Sequence, residues 1–151
     1  DQLNIPQPPG GVVVVAVPDQ LVDEASWRLI RDGRSLRRRR ECNAFGERFT
    51  NRVFTELERQ RSDRKATRAA SYAKRFAAKE ATAKAMGTGF RNGLSLRHIE
   101  VGHDTRGKPL LILTGQAEAL ASQCGICESH LSLADENEYA VAFVTLVNRP
   151  V

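Results

Sequence analysis

The sequence has no long hydrophobic run and contains little cysteine. A helix needs about 20 apolar residues to cross a bilayer, and the most apolar stretch, residues 12–17, is far shorter. The first residues also lack the basic segment and long apolar core of a signal peptide. Three cysteines in 151 residues are too few for a disulfide framework. These absences exclude membrane-spanning and disulfide-rich classes and predict a cytoplasmic protein that contacts no membrane.

Aromatic residues are scarce too, at 6% of the chain, and basic residues exceed acidic ones by 23 to 18. The formal charge of +5 favours an acidic partner, which could be nucleic acid, a phosphorylated ligand or an acidic protein. The strongest basic cluster, Arg34–Arg40, contains no aromatic residue on which a base could stack. Nucleic acid is therefore not expected, and the cluster is either a solvated face or a dock for an acidic protein.

The most informative segment is an alanine-rich helix at 76–86, followed by Gly87-Thr88-Gly89. On a period of 3.6 residues Phe76, Glu80 and Lys84 form one stripe, because each lies four residues from the next. A carboxylate and an ammonium on one rigid face can hold a divalent metal beside a phosphate, which suits phosphoryl transfer. The same spacing is that of an ordinary surface ion pair, which stabilises a helix by about 0.2–0.5 kcal/mol. The spacing leaves both interpretations open.

The patterns predict one domain whose helices precede most of its strands. Residues 1–11, rich in Pro, Gly and Gln, predict a flexible lead-in, and 12–151 form the single domain. Helices are predicted at 21–30, around 45–57 with a break near Thr55, around Glu80, and at 116–122. Strands are predicted at 12–17, 96–101, 110–114, 130–134 and 139–147. The fold class is therefore α+β with mostly antiparallel strands.

Four segments, in this order, resemble the holo-acyl-carrier-protein synthases, the small bacterial 4'-phosphopantetheinyl transferases. They are Phe45-Gly46-Glu47-Arg48-Phe49 with Phe54-Thr55, Arg75 through Lys84 with Gly87-Thr88-Gly89, Gly107-Lys108-Pro109, and His130-Leu131-Ser132 followed by Tyr139 through Val144. Each segment alone is a weak signal, but the ordered combination is specific.

The resemblance implies the 4'-phosphopantetheinyl transferase fold, an antiparallel sheet with packed helices, assembled as a homotrimer. It implies transfer of phosphopantetheine from coenzyme A, the donor substrate, to a serine of an acidic acyl carrier protein, with release of 3',5'-ADP. It also implies a Mg²⁺ cofactor and a nucleotide that lies between neighbouring subunits. The carrier protein is expected to dock on the basic face near Arg34–Arg40.

The family's motifs also imply a catalytic group made of Glu80, Lys84 and Asp19. Glu80 is implied as one magnesium ligand and Asp19 as the other, with Asp23 and Asp32 as rivals for the second position. Magnesium prefers a few carboxylate oxygens together with water and phosphate oxygens. Lys84, one turn beyond Glu80, is implied to contact the pyrophosphate.

Further residues are implied to bind the nucleotide. Lys79 is expected either to contact the pyrophosphate or to pack at the surface. The remaining nucleotide contacts implied by the motifs are Arg48, Gly107, Lys108, Pro109, His130 and Ser132.

Residues 1–44 depart from the family's pattern. The sequence before Asp19 lacks the glycine that the family has there, and the distance from Asp19 to Phe45 is longer than usual. Two alternatives therefore stay open. The chain is either a family member that binds coenzyme A with impaired catalysis, or a non-enzymatic basic module that binds nucleic acid or an acidic protein.

Overall fold

The computed structural model describes residues 12–18, 48, 50–66, 68–87, 93–135 and 139–148, and for 12–18 it describes the backbone alone. The predicted lead-in, the predicted helix at 21–30 and the Arg34–Arg40 cluster lie outside these residues. In chain order the elements are β1 (Val12–Pro18), α1 (Glu56–Asp63), α2 (Arg68–Ala85), a short 3₁₀ helix (Leu96–His98), β2 (Ile99–His103), β3 (Pro109–Leu113), α3 (Gly115–Gln123), β4 (Ile126–Asp135) and β5 (Tyr139–Asn148). None of the described helices combines the length and the apolar character that a membrane span requires.

Helix α1 begins at the predicted break. The hydroxyl of Thr55 accepts a hydrogen bond from the backbone N–H of Glu58, and the Glu58 carboxylate accepts one from the backbone N–H of Thr55. This reciprocal pair satisfies two of the donors that the start of a helix leaves open. Such a cap stabilises a helix by about 1 kcal/mol. It separates α1 from the helical residues 50–53 that precede it.

Helix α2 packs against β5 and β1 and forms the centre of the core. Ala77, Ala78 and Ala81 on the helix are fully buried, as are Ala140 and Ala142 on the sheet. Because these side chains are small, helix and sheet can approach each other closely. The contact between helix and sheet is therefore built largely from small side chains, while large ones such as Phe54, Tyr72 and Met86 fill other parts of the core.

Strand β5 lies between β1 and β4, and both pairings are antiparallel. Successive side chains of a strand point to opposite faces, and on β5 Ala142 and Val144 are buried while Phe143 is 41% exposed. The inner face of this sheet contacts α2, and the face that carries Phe143 points away from it. Strands β2 and β3 form a separate antiparallel hairpin.

Two strand predictions differ from the structure. The strand predicted at 96–101 begins only at Ile99, because Ser95 caps a 3₁₀ turn: its hydroxyl accepts from the N–H of Arg97, and the ring of His98 accepts from the N–H of Ser95. Strand β4 begins at Ile126 rather than at 130. Its first residues are mostly exposed and polar, so they lack the apolar alternation that marks a strand in sequence.

Candidate active site

The least buried side of α2 carries Phe76, Glu80 and Lys84. From Arg75 to Met86, a stretch that the structure describes completely, these are the only side chains that are not buried. Their four-residue spacing places them on one side of the helix. Lys84 is exposed and Glu80 is partly exposed. A carboxylate and an ammonium are thus presented one turn apart on a stretch of helix, residues 75–86, whose other side chains are buried.

The carboxylate of Glu80 forms no ion pair or hydrogen bond with the residues that the structure describes. In particular, Glu80 and Lys84 do not form the surface ion pair that their spacing allows. Unlike a structural carboxylate, the one on Glu80 is therefore available to a ligand. An unpaired carboxylate supplies the kind of hard oxygen donor that Mg²⁺ prefers.

Helix α2 ends directly after Lys84. The N–H of Gly87 donates to the backbone oxygen of Lys84 over 3.0 Å, and Gly87 has a φ of +76°. Glycine reaches this left-handed conformation without the steric cost that a Cβ brings. The helix end therefore holds Lys84 in the last turn, where a cation also interacts favourably with the helix dipole.

Lys79 lies elsewhere than predicted. Its side chain is 0% exposed, so the prediction that it packs at the surface is wrong. Its Nζ donates to Oε1 of Glu58 over 2.6 Å. The two other donors reach the backbone oxygens of Leu96, at 3.0 Å, and Ile99. Because an ammonium has three N–H donors, this geometry leaves none for the pyrophosphate of a nucleotide.

Glu58 completes this buried pair and was not predicted as a candidate. Its side chain is 0% exposed, its Oε1 caps Thr55 as described above, and its Oε2 accepts from the N–H of Val101 over 3.2 Å. Burial lowers the pKa of Lys79, and the Glu58 carboxylate opposes that shift. The spacing Thr55-x-x-Glu58 is a capping signature, so the sequence could have indicated that Glu58 caps α1. It could not have indicated the pairing of Glu58 with Lys79.

Arg75 is a second residue that the sequence analysis left without a role. It is 3% exposed, and its Nη1 donates to the hydroxyl and backbone oxygens of Ser71. Its Nε and Nη2 have no acceptor in the part of the chain that the structure describes. Burial is the main cause that lowers the pKa of Arg75. A buried cation with unsatisfied donors is costly, and an anionic ligand would satisfy it.

The predicted Gly107-Lys108-Pro109 segment forms the end of the β2–β3 hairpin. The Asp104 carboxylate accepts from the N–H of Arg106 at 2.8 Å and from the N–H of Lys108 at 2.9 Å. Gly107 closes the turn with a φ of +85° and donates its N–H to the backbone oxygen of Asp104. The turn therefore has a defined shape and presents the exposed side chain of Lys108 to solvent.

His130 and Ser132 lie on the outer face of the sheet. Both are exposed, and they alternate with the buried Leu131 on β4. Ser132 pairs with Phe143, which shares this face. The imidazole of His130 lies 3.4 Å from the carboxylate of Glu128. The two predicted nucleotide contacts are thus close together and accessible.

Within one chain the predicted site residues occupy separate surfaces. Glu80 and Lys84 lie on α2, which packs on the inner face of the sheet, whereas His130 and Ser132 lie on the outer face. Among the described residues, no hydrogen bond or ion pair joins these two groups to each other or to Lys108.

Arg48 and the three predicted aspartate ligands contribute no contact to the site among the described residues. Arg48 is exposed. Asp19, Asp23 and Asp32 lie outside the described residues, although Pro18, which precedes Asp19, ends a strand that packs against α2. The described part of the chain contains no cluster of three or more His, Cys, Asp or Glu side chains that could hold a metal.

Comparison with known proteins gives consistent matches. The model of the 4'-phosphopantetheinyl transferase superfamily matches residues 34–144. A holo-acyl-carrier-protein synthase of Phenylobacterium zucineum is 53% identical over 110 residues, which are 70% of this chain and 80% of that protein.

Solved structures agree with these sequence matches. The holo-acyl-carrier-protein synthase of Neisseria meningitidis has a TM-score of 0.71 at 33% identity, over 91% of this chain and 98% of that one. The enzyme of Bacillus anthracis, solved in complex with CoA (3',5'-ADP), has a TM-score of 0.63 at 29% identity, over 93% of this chain and 97% of that one.

These matches are to enzymes, and they favour catalysis over the alternative of a non-enzymatic basic module. The family model covers most of the chain and includes all four segments that carry the resemblance. The chain therefore belongs to the 4'-phosphopantetheinyl transferase superfamily and, within it, to the enzymes called holo-acyl-carrier-protein synthases.

Proposed function

We propose that this chain transfers 4'-phosphopantetheine from coenzyme A to a serine of an apo-acyl carrier protein and releases 3',5'-ADP. The observation that carries the proposal is the accessible pair of Glu80 and Lys84 on α2, in a chain with the family's ordered motifs. In the reaction the serine oxygen forms a bond to the β-phosphorus of coenzyme A. The bond from that phosphorus to the oxygen shared with the α-phosphorus breaks, and the hydroxyl proton leaves to a base.

The acidic residues are proposed to hold Mg²⁺. Glu80 supplies one carboxylate, and Asp19, or one of its rivals Asp23 and Asp32, supplies the other. When bound, Mg²⁺ neutralises negative charge on the pyrophosphate and on the group that is transferred. Lys84 adds a second positive charge one helical turn away, where it orients the pyrophosphate.

The nucleotide is proposed to bind basic and polar groups on the other surfaces. Charge-assisted hydrogen bonds to phosphate are about twice as strong as neutral ones, which suits Arg48 and Lys108, and His130 offers a further ring N–H donor. Gly107, Pro109 and Ser132 would shape the site around the adenosine. Arg75 is added to these residues because its Nε and Nη2 have no acceptor among the described residues and could donate hydrogen bonds to a phosphate oxygen. Lys79 is omitted, since its donors are already used within the chain.

A homotrimer is proposed as the active assembly. Glu80 and His130 lie on opposite sides of the sheet, so one chain alone does not bring them together. The outer face also exposes 41% of Phe143, an apolar side chain that contact with a neighbouring subunit would cover. An acidic carrier protein is proposed to dock on Arg34–Arg40, in keeping with the formal charge of +5.

The test is incubation of the protein with coenzyme A, Mg²⁺ and an apo-acyl carrier protein, followed by mass measurement of the carrier. We expect a gain of one phosphopantetheinyl group, and no gain on a carrier whose acceptor serine is replaced by alanine or when EDTA is present. Binding of coenzyme A without a gain in mass would support the impaired form. Neither binding nor a gain would leave the basic module as the better interpretation.

A further inference from the structure

The proposed reaction gives no role to the buried pair of Lys79 and Glu58. Both side chains are 0% exposed and their charged atoms are 2.6 Å apart. Removing two charges from water is costly, and a buried ion pair often stabilises a protein no better than apolar residues of similar size. The burial of this pair is therefore weak evidence for a purely stabilising role.

The pair joins four elements of the chain, namely α1, α2, β2 and the short 3₁₀ helix. Through Glu58 it contacts the start of α1, because Oε1 accepts from the N–H of Thr55. It also contacts β2, because Oε2 accepts from the N–H of Val101. Through Lys79 it contacts the middle of α2 and the backbone oxygen of Leu96. All three ammonium donors and both carboxylate oxygens are used, so the arrangement permits one geometry.

Lys79 directly precedes Glu80 in the chain. Consecutive residues of an α-helix are about 100° apart around its axis, so the direction of Lys79 determines the direction of Glu80. The neighbouring core positions Ala77, Ala78 and Ala81 are small and fully buried. Small side chains resist rotation or sliding of a helix less than large interlocking ones do. The large buried side chains Tyr72 and Met86 lie nearer the ends of the helix, and the Lys79 anchor adds a constraint at its middle.

We infer that Lys79 and Glu58 are positioning residues that orient the Glu80 carboxylate toward a divalent cation. This inference rests on the proposed function, because it assigns Glu80 to the metal. Neither Lys79 nor Glu58 touches the substrate. Their effect is transmitted by the rotation of α2, and it falls first on metal affinity and on the chemical step.

The test is a double variant, Glu58→Gln with Lys79→Met, in the full chain. Methionine retains most of the volume of lysine, and glutamine retains an oxygen for the cap, so the buried charges leave together and neither remains unpaired. Mn²⁺ binding in the presence of coenzyme A is measured by electron paramagnetic resonance, beside kcat and the KM for coenzyme A. We expect Mn²⁺ affinity and kcat to fall by about 10–100-fold, the range for losing a group that orients a metal ligand. The KM for coenzyme A should change less, because only Lys84 among the proposed pyrophosphate and nucleotide contacts on exposed surfaces turns with this part of the helix.

The matched control is the pair Lys74→Met with Asp135→Asn. These residues form an ion pair of 2.9 Å between α2 and β4 and have no role in the proposed site. We expect their removal to leave Mn²⁺ affinity and kcat at the wild-type values. Equal losses in the control and in the double variant would show a general effect on α2 and would overturn the inference.

A second variant covers the case in which the double variant does not fold. Glu58→Asp keeps the charge and shifts the carboxylate by one methylene, and we expect it to weaken Mn²⁺ binding in a folded protein. Wild-type Mn²⁺ affinity and kcat in whichever variant folds would overturn the positioning role while leaving the proposed function intact. If wild-type protein binds no Mn²⁺ at Glu80, the proposed metal site and the positioning role are both wrong.

Discussion

Arg75 donates from Nη1 to the hydroxyl oxygen of Ser71, 2.6 Å away and one turn earlier on α2. Ser71 in turn lies 3.0 Å from the hydroxyl of Ser62 on α1. One side of the guanidinium is thus held firmly, while Nε and Nη2 are buried without an acceptor among the described residues. The guanidinium is therefore fixed in position with two donors that no acceptor among the described residues satisfies.

Arg75→Met is therefore expected to have opposite effects on the free and the ligand-bound protein. Each unsatisfied buried donor costs about 1–3 kcal/mol, so without ligand the free energy of unfolding should stay unchanged or increase. The stabilisation by coenzyme A should decrease, because phosphate contacts are lost. Thermal unfolding with and without coenzyme A measures both, with the exposed Arg97→Gln as control. A wild-type shift with coenzyme A would remove Arg75 from the proposed site.

Glu80→Gln is expected to abolish transfer without unfolding the protein. The amide keeps the shape of the side chain but removes the charge that binds a cation, so kcat should fall at least about 100-fold. Because Glu80 is partly exposed and forms no ion pair among the described residues, the free energy of unfolding should change by no more than about 0.5 kcal/mol. The exposed Glu118→Gln on α3 serves as the control. Normal transfer by Glu80→Gln would show that the metal assignment is wrong.

His103 is expected to make the fold sensitive to acid. Its Nδ1 lies 3.1 Å from Nη1 of Arg61, so it accepts from the guanidinium and is unprotonated. Burial, followed by Arg75, Arg61 and Lys65, lowers the pKa of His103 below its usual 6.5. At pH values between the lowered pKa of His103 in the folded protein and its usual pKa in the unfolded chain, the unfolded chain binds more protons than the folded protein. The free energy of unfolding therefore falls as the pH falls through this range.

Replacing His103 by glutamine should flatten that part of the stability curve. Urea unfolding of wild-type protein and His103→Gln, measured from pH 7.5 down to about pH 4, gives the comparison. The two curves should run parallel above the usual histidine pKa and diverge below it. Identical slopes throughout would mean that His103 does not titrate differently in the folded state.

Gly107→Ala is expected to weaken the hairpin turn through the backbone alone. No atom lies within 4 Å of a Cβ built at this position, so the cost of about 1–2 kcal/mol comes from the φ of +85°. Asparagine tolerates this conformation better, and Gly107→Asn should recover part of the loss. Thermal unfolding of both variants is the measurement. An alanine variant as stable as wild type would mean that the turn adopts another conformation.

The sequence predicted the elements whose signals are local. The four-residue spacing around Glu80 predicted its helix and the stripe on that helix, and Thr55 marked the break before α1. The hairpins also follow from short-range alternation and turn residues. The strand prediction failed at Arg97 and His98, and the cause is also local. Hydrogen bonds of the Ser95 hydroxyl and the His98 ring stabilise a 3₁₀ turn there, although the sequence alternates as in a strand.

The burial of Lys79 could not be predicted in this way. Its partner Glu58 lies 21 residues earlier and the backbone oxygen of Ile99 lies 20 residues later, so no pattern within one element contains both. The unsatisfied donors of Arg75 likewise become visible only when the surrounding core is built. Separation of Glu80 from His130 by the sheet depends on the pairing of strands, which composition and spacing leave open.

Strand β5 is the last of the described strands in chain order, yet it lies between β1 and β4. During synthesis β1 therefore leaves the ribosome long before the strand with which it pairs exists. Contacts between such distant segments form slowly, and an unpaired apolar strand invites association with other chains. Nascent chains stalled before Tyr139 are expected to be sensitive to protease and to bind chaperones. Production of this protein in a cell is thus expected to be limited by association of β1 with other chains during the time before β5 has been synthesised.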